Sequence, residues 1–179
     1  PGAPDSWEEV VPHREDVLVE DFELFSSHLV VEERRGGLRR IVLAEKADPM
    51  GSRFEVPFRD PAYVCYTTTN PRLDATRLRF LYTSMTTPWS TYEIDLVSHD
   101  QELLKIQEIP GGYDPELYVS ERIFATADDG TSVPISLVRR RDLDGSLPAP
   151  LYLYGYGSYG SSMEASFRSS RLSLLDRGF

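Results

Sequence analysis

Apolar positions in the first part of this chain come in short runs separated by charged or turn-forming residues. Within residues 16–45 they are Val17-Leu18-Val19, then Phe22, Leu24 and Phe25, then Leu29-Val30-Val31, then Leu38 and Ile41-Val42-Leu43. Runs of this length, rich in β-branched and aromatic residues, predict strands. Gly36-Gly37 between two such runs predicts a hairpin turn. The intervening Glu32-Glu33-Arg34-Arg35 is expected on the hairpin's solvent face. A second β region is expected to begin near Phe54, with strands at 63–69, 78–84, 91–96 and 103–107. Asn70-Pro71, Thr87-Pro88 and Ser98-His99-Asp100 supply turns between them. Short strands at this spacing suggest an antiparallel sandwich or propeller blades, each region providing one four-stranded unit.

Ile109-Pro110-Gly111-Gly112-Tyr113-Asp114-Pro115 interrupts this pattern and predicts a domain boundary, dividing the chain into residues 1–109 and 110–179. Beyond it, residues 118–126 and 132–140 predict a hairpin around Asp128-Asp129-Gly130-Thr131. Arg139-Arg140-Arg141 is expected on a solvated face ahead of the acidic loop 142–146. The dense apolar stretch at 150–154 predicts a strand buried on both faces. It runs into Gly155-Tyr156-Gly157-Ser158-Tyr159-Gly160. A helix is expected over 166–177, with Leu172, Leu175 and Phe179 on one face and Gly178 as its stop. Strand, glycine-rich turn and helix together open an α/β unit that needs a parallel return strand.

Composition narrows the partners. Hydrophobic and charged residues make up 40% and 27% of the chain, ordinary values for a globular protein. A formal net charge of −10 argues against nucleic acid or an anionic membrane as a main partner. No apolar stretch is long enough to span a bilayer. The single cysteine, Cys65, lies in an apolar run and reads as a buried structural thiol, which fits a reducing, cytoplasmic setting. Pro1-Gly2-Ala3-Pro4-Asp5-Ser6-Trp7 carries no signal-like core, and Phe179 falls where a return strand would begin. Both ends are expected to border an internal segment.

Candidate chemistry concentrates in the tyrosine–glycine stretch. Gly155-x-Gly157-x-x-Gly160 matches the string of a dinucleotide-binding turn. A nucleotide site needs the helix to open directly from the glycines. Here Ser161-Ser162-Met163-Glu164 intervenes, bulky tyrosines fill the variable positions, and no acidic residue ends a second strand. No cofactor is expected. The chain contains no G-x-S-x-G elbow, so no nucleophile is assigned. His13, His28 and His99 are scattered beside charged or turn residues and read as surface or structural. No H-x-x-x-H or C-x-x-C spacing supports a metal.

Tyr154-Gly155-Tyr156-Gly157-Ser158-Tyr159-Gly160, followed by Ser170-Arg171-Leu172-Ser173-Leu174-Leu175-Asp176-Arg177-Gly178-Phe179, resembles the prolyl oligopeptidase family, and its oligopeptidase B (protease II) branch in particular. The resemblance extends upstream through Ser120-Glu121-Arg122, Ala127-Asp128-Asp129-Gly130-Thr131 and Pro134-Ile135-Ser136-Leu137-Val138. It continues through Asp60-Pro61-Ala62-Tyr63-Val64, Ser84-Met85-Thr86-Thr87-Pro88 and Leu29-Val30-Val31-Glu32-Glu33-Arg34 to Val11-Pro12-His13-Arg14. It implies a mainly β chain: the last blades of a β-propeller, then the opening strands and first helix of an α/β-hydrolase domain.

The family pairs those domains around an active site that hydrolyses short peptides with a Ser-Asp-His triad, and the oligopeptidase B branch prefers bonds after Arg or Lys. The resemblance implies that the triad and the acidic specificity residues lie outside this sequence, so the chain alone is expected to be inactive. Tyr156 matches the tyrosine that donates its hydroxyl to the oxyanion, a role worth about 3–4 kcal/mol of barrier in comparable sites. Tyr159 matches an aromatic position bordering the primary substrate pocket. The alternatives are a non-enzymatic propeller-like binding module and a nucleotide-binding α/β protein.

Overall fold

The computed structural model describes residues 6–179; Pro1 to Asp5 of the opening segment lie outside the described residues. Strands β1 (Val17–Leu24), β2 (His28–Arg35), β3 (Leu38–Glu45) and β4 (Phe54–Glu55) form one antiparallel sheet in chain order. Strands β5 (Tyr63–Thr67), β6 (Arg77–Ser84), β7 (Ser90–Asp95) and β8 (Gln101–Ile106) form a second, again in chain order. Phe54 therefore closes the first sheet, pairing with Leu43, and does not open the second region as the sequence pattern suggested. A strand of two residues carries too little periodicity to declare which sheet it joins.

Alternation sets the faces. Along β6, Leu78, Phe80 and Tyr82 are buried while Arg79 is exposed, the period of two expected of a half-buried strand. Phe25, Val30, Ile41, Leu43 and Val56 from the first sheet and its flanks join Tyr63, Cys65, Leu78, Phe80, Tyr82, Ile94 and Leu96 in one apolar core. Cys65 is buried as expected. Burial pushes its thiol above the ordinary range, and its Sγ lies 3.4 Å from the Arg39 carbonyl oxygen. At the β2–β3 turn, Gly36 and Gly37 have φ of 56° and 76°, the left-handed geometry of a two-residue hairpin.

The Glu-Glu-Arg-Arg run departs from its expected solvent exposure. Glu32 and Glu33 are 5% and 3% exposed, because β2 lies between β1 and β3 and both of its faces are covered. Glu32 faces the second sheet, accepting hydrogen bonds from the Thr67 amide at 2.6 Å and the Thr67 hydroxyl at 2.7 Å. Glu33, on the opposite face, pairs with Arg14 and, at 2.6 Å, with Arg53. Partners distant in sequence thus turn what reads as a solvated run into buried ion pairs. Only Arg35 of the four is exposed.

Strands β9 (Tyr118–Thr126) and β10 (Ser132–Arg140) form a separate antiparallel hairpin, turning at Asp128-Asp129-Gly130-Thr131 as the sequence predicts. Arg122 reaches from β9 to the Gly36 carbonyl and so ties this hairpin to the first sheet. Arg139 and Arg140 are half-buried and paired, to Glu121 at 2.8 Å and Asp142 at 2.8 Å, so these two are less solvated than expected, while Arg141 is exposed as expected. Residues 150–154 depart most from expectation. They form no strand, and Leu151, Tyr152, Leu153 and Tyr154 are all more than 60% exposed. A strand requires a hydrogen-bonded neighbour, and among the described residues none lies beside this stretch. Helix α1 (Ser169–Leu175) begins later than expected and buries Leu175, with Gly178 at φ 86° as its stop.

The Glu33 pairs predict a pH dependence. Burial raises its carboxyl pKa, but the hydrogen bonds and charges of Arg14 and Arg53 outweigh burial and hold it below the ordinary value of 4.5. The unfolded chain therefore binds this proton more readily than the folded one. The contribution is complete above the unfolded value and is lost as pH falls through the folded one. Urea unfolding at pH 7 and at pH 3 should show a smaller acid-induced loss of stability in Glu33→Gln than in the unaltered protein.

Candidate active-site segment

The tyrosine–glycine stretch is an exposed loop clamped at its carboxyl side. Ser158–Gly160 makes a single tight turn, closed by the Ser161 amide donating to the Ser158 carbonyl at 3.1 Å. Tyr159 sits inside it at φ 58° and ψ 33°, a left-handed conformation that costs a non-glycine residue of order 1 kcal/mol. Strain of that kind concentrates at functional sites. Tyr159 is fully exposed and Tyr156 half-exposed at 52%. Tyr156 precedes the turn and Tyr159 lies within it, and neither packs into the core. The glycines do not lead into a helix, since α1 starts at Ser169. The geometry of a dinucleotide turn, with phosphate against a helix amino end, is absent from these described residues.

Downstream of the turn the chain becomes anchored. Glu164 Oε1 accepts from Arg34 Nη2 at 2.8 Å and from Arg39 Nε at 3.3 Å, on strands β2 and β3. Ala165 and Phe167 are buried. The Phe167 amide donates to Thr83 Oγ1 at 3.1 Å, and that hydroxyl donates in turn to the Thr87 carbonyl at 2.8 Å. Phe167 also packs edge-on against Tyr113, with ring centroids 5.0 Å apart, and the Tyr113 hydroxyl donates to the Thr86 carbonyl at 2.6 Å. Residues 164–167 therefore strap both four-stranded sheets together. Farther on, the Tyr118 hydroxyl donates to Asp176 at 2.7 Å, holding the end of α1 against β9.

Nothing in the local sequence marked Glu164, Thr83 or Tyr113 as supports of the tyrosine loop. Their partners lie far away in the chain, 130 positions for Arg34 and Glu164, and only folding brings them together. The histidines take structural or surface places. His28 is buried with its Nδ1 2.9 Å from Ser27 Oγ, His99 stacks on Phe54 with centroids 3.6 Å apart, and His13 is exposed. A separate cleft of about 330 Å³ is lined by Phe58, Asp60, Tyr82 and Tyr92 among others. Its carboxylate is already engaged, since Asp60 accepts from Tyr82, Thr86 and Thr87. Among the described residues no group of three or more His, Cys, Asp or Glu could hold a metal ion. No described helix is long and apolar enough to cross a membrane.

Chemically, an exposed tyrosine between glycines can present a hydroxyl donor to a developing negative charge. Acyl transfer would further need an activated nucleophile and a base. Residues 2–107 match the family model described as "Prolyl oligopeptidase, N-terminal beta-propeller domain". The chain belongs to the prolyl oligopeptidase family. Dipeptidyl aminopeptidase BI of Pseudoxanthomonas mexicana is 45% identical over 173 residues, covering 96% of this chain and 23% of that protein. Oligopeptidase B from Leishmania major superposes with a TM-score of 0.85 at 37% identity, covering 98% of this chain and 26% of that one. Oligopeptidase B from Trypanosoma brucei with covalently bound antipain, in a closed form, gives 0.85 at 36% identity, over 94% of this chain and 25% of that one. The chain thus spans about a quarter of the length of these relatives. The two four-stranded sheets lie within the span matched by the propeller family, so the propeller reading of the sequence holds and the sandwich reading falls.

The strap has a measurable strength. Thr83→Val keeps the shape of a fully buried side chain and deletes the acceptor for the Phe167 amide. The cost should be about 1–3 kcal/mol, that of leaving a buried donor unsatisfied, read as a lowered denaturation midpoint with unchanged slope.

Proposed function

We propose that this chain is part of an oligopeptidase B-like serine peptidase that hydrolyses short peptides. In this reading residues 1–109 are the carboxyl-terminal part of the propeller domain. Residues 110–179 open the α/β-hydrolase domain, ahead of the Ser-Asp-His triad. The observation that carries it is the match to oligopeptidase B structures, which continues past the propeller span through the tyrosine loop and helix. Tyr156 is the oxyanion donor. Its flanking glycines let the ring project, and a preorganised hydroxyl aimed at developing charge lowers the barrier without reorganisation. Tyr159 borders the pocket for the substrate's principal side chain, and its strained backbone suits a residue held ready for contact. Preference for Arg or Lys at the cleaved bond agrees with the acidic character of the chain, whose formal net charge is −10. The same charge disfavours nucleic acid and anionic membrane as partners. The buried, unpaired thiol of Cys65 fits the cytoplasm.

The exposed run 151–154 takes its place in the hydrolase sheet once neighbouring strands are present; left alone it is a site of association. A second reading rests on the 45% identical relative, whose name is that of a dipeptidyl aminopeptidase. In that case the enzyme would require a free amino terminus near the cleaved bond.

Two measurements test the assignment. In the whole enzyme, Tyr156→Phe should lower kcat by about 10²–10³-fold with a smaller effect on KM; an unchanged kcat removes Tyr156 from the oxyanion. Residues 1–179 alone should not turn over fluorogenic peptides containing Arg or Lys, because a donor without nucleophile and base cannot transfer an acyl group. The whole enzyme should cleave those peptides, and loss of cleavage on blocking their amino termini would favour the dipeptidyl reading.

A further inference from the structure

We propose that Glu164 is a positioning residue that holds the Tyr156 loop in register by docking its carboxylate between Arg34 and Arg39 of the first sheet. The inference rests on Tyr156 acting at the oxyanion, as argued above. From Tyr156 to Met163 the loop is exposed throughout, contains two further glycines, and makes only the short Ser158–Gly160 turn. Its carboxyl-side hold begins at Glu164, with both arginine contacts made to the same carboxylate oxygen. A second hold follows at Phe167, on Thr83 of the other sheet. Between them, Glu164 is the nearer to the tyrosines and the only one of the two that acts through charge.

The arginines are themselves prearranged. Glu20 of β1 pairs with Arg34 at 2.7 Å and with Arg39 at 3.1 Å, and Arg39 lies 3.6 Å from Glu32. Two guanidiniums thus face three carboxylates, two from the sheet and one from the strap. Arg34 is 13% exposed and Glu164 32%, a partly desolvated setting in which such pairs gain strength over fully exposed ones. Removing the Glu164 charge leaves Arg34 and Arg39 still paired with Glu20 and Glu32, so the sheet survives while the loop loses the nearer of its two holds, the other being Phe167 on Thr83. A loop displaced by about 1 Å can cost up to about 10²-fold in rate when the donor must meet a developing charge.

The test is a double-mutant cycle in the whole enzyme with Glu164→Gln and Tyr156→Phe, measuring kcat and KM on a fluorogenic Arg peptide. Glu164→Gln alone should lower kcat about tenfold with KM within about twofold, since the tether acts on the transition-state donor. In the Tyr156→Phe background the same change should have almost no effect, because the group being positioned is gone. An equal loss in both backgrounds means that Glu164 acts on general structure, and overturns the proposal. An unchanged kcat in Glu164→Gln, with Tyr156→Phe still impaired, overturns it while leaving the oxyanion assignment standing. An unimpaired Tyr156→Phe defeats both together. Should Glu164→Gln not accumulate as folded protein, Glu164→Asp should show the same background dependence at a smaller fold-change, and its absence counts equally against the proposal.

Discussion

Two carboxylates on an interior strand constrain much of this structure. Glu32 and Glu33 lie on opposite faces of β2 and are almost completely buried. An unpaired charge in such a place costs several kcal/mol, so each face must bring compensation to it. On one side Arg14 and Arg53 converge on Glu33. On the other, Thr67 of the second sheet and Arg39 approach Glu32, which links the two four-stranded units by polar contacts beside their shared apolar core. Arg39, with Arg34, then receives Glu164. A requirement that originates in one strand thereby reaches the segment that carries the tyrosine loop.

The apolar core and the polar links divide the labour. Phe25, Ile41, Phe80 and Ile94 supply non-directional burial that holds the sheets face to face. They do not say where an exposed loop should stand. Directional contacts do that: Glu164 on Arg34 and Arg39, Phe167 on Thr83, Tyr113 on the Thr86 carbonyl, and Asp176 on Tyr118. The tyrosine loop itself has little internal structure, and the contacts that hold it lie on its carboxyl side. In the proposed oxyanion role, pre-organisation of Tyr156 would reside in these supports more than in the loop itself.

Much of the fold was legible because its strands obey a local rule. Alternation of the kind seen in Leu78-Arg79-Phe80 identifies a half-buried strand from neighbours alone, and Gly36-Gly37 declares a hairpin because left-handed backbone favours glycine. The departures from local expectation have a common cause. Glu32-Glu33 looked solvated because their arginines and Thr67 are remote in sequence. Phe54 reads as the start of the second region because its pairing with Leu43 is not a local property. The run 150–154 carries the composition of a buried strand, yet composition cannot provide the neighbouring strand that hydrogen bonding requires.

The sequence by itself determined the β-rich architecture, the hairpins, the buried thiol and, through the tyrosine–glycine motif, the residues worth testing. Those features depend on contacts between close neighbours or on a motif preserved as a string. Tertiary structure alone decided which charges are buried, that the two sheets share one core, and that Glu164 reaches across 130 positions to Arg34. The physical reason is range: propensity and alternation act over a few residues, whereas compensation of a buried charge depends on which distant groups the folded chain brings within a few ångströms.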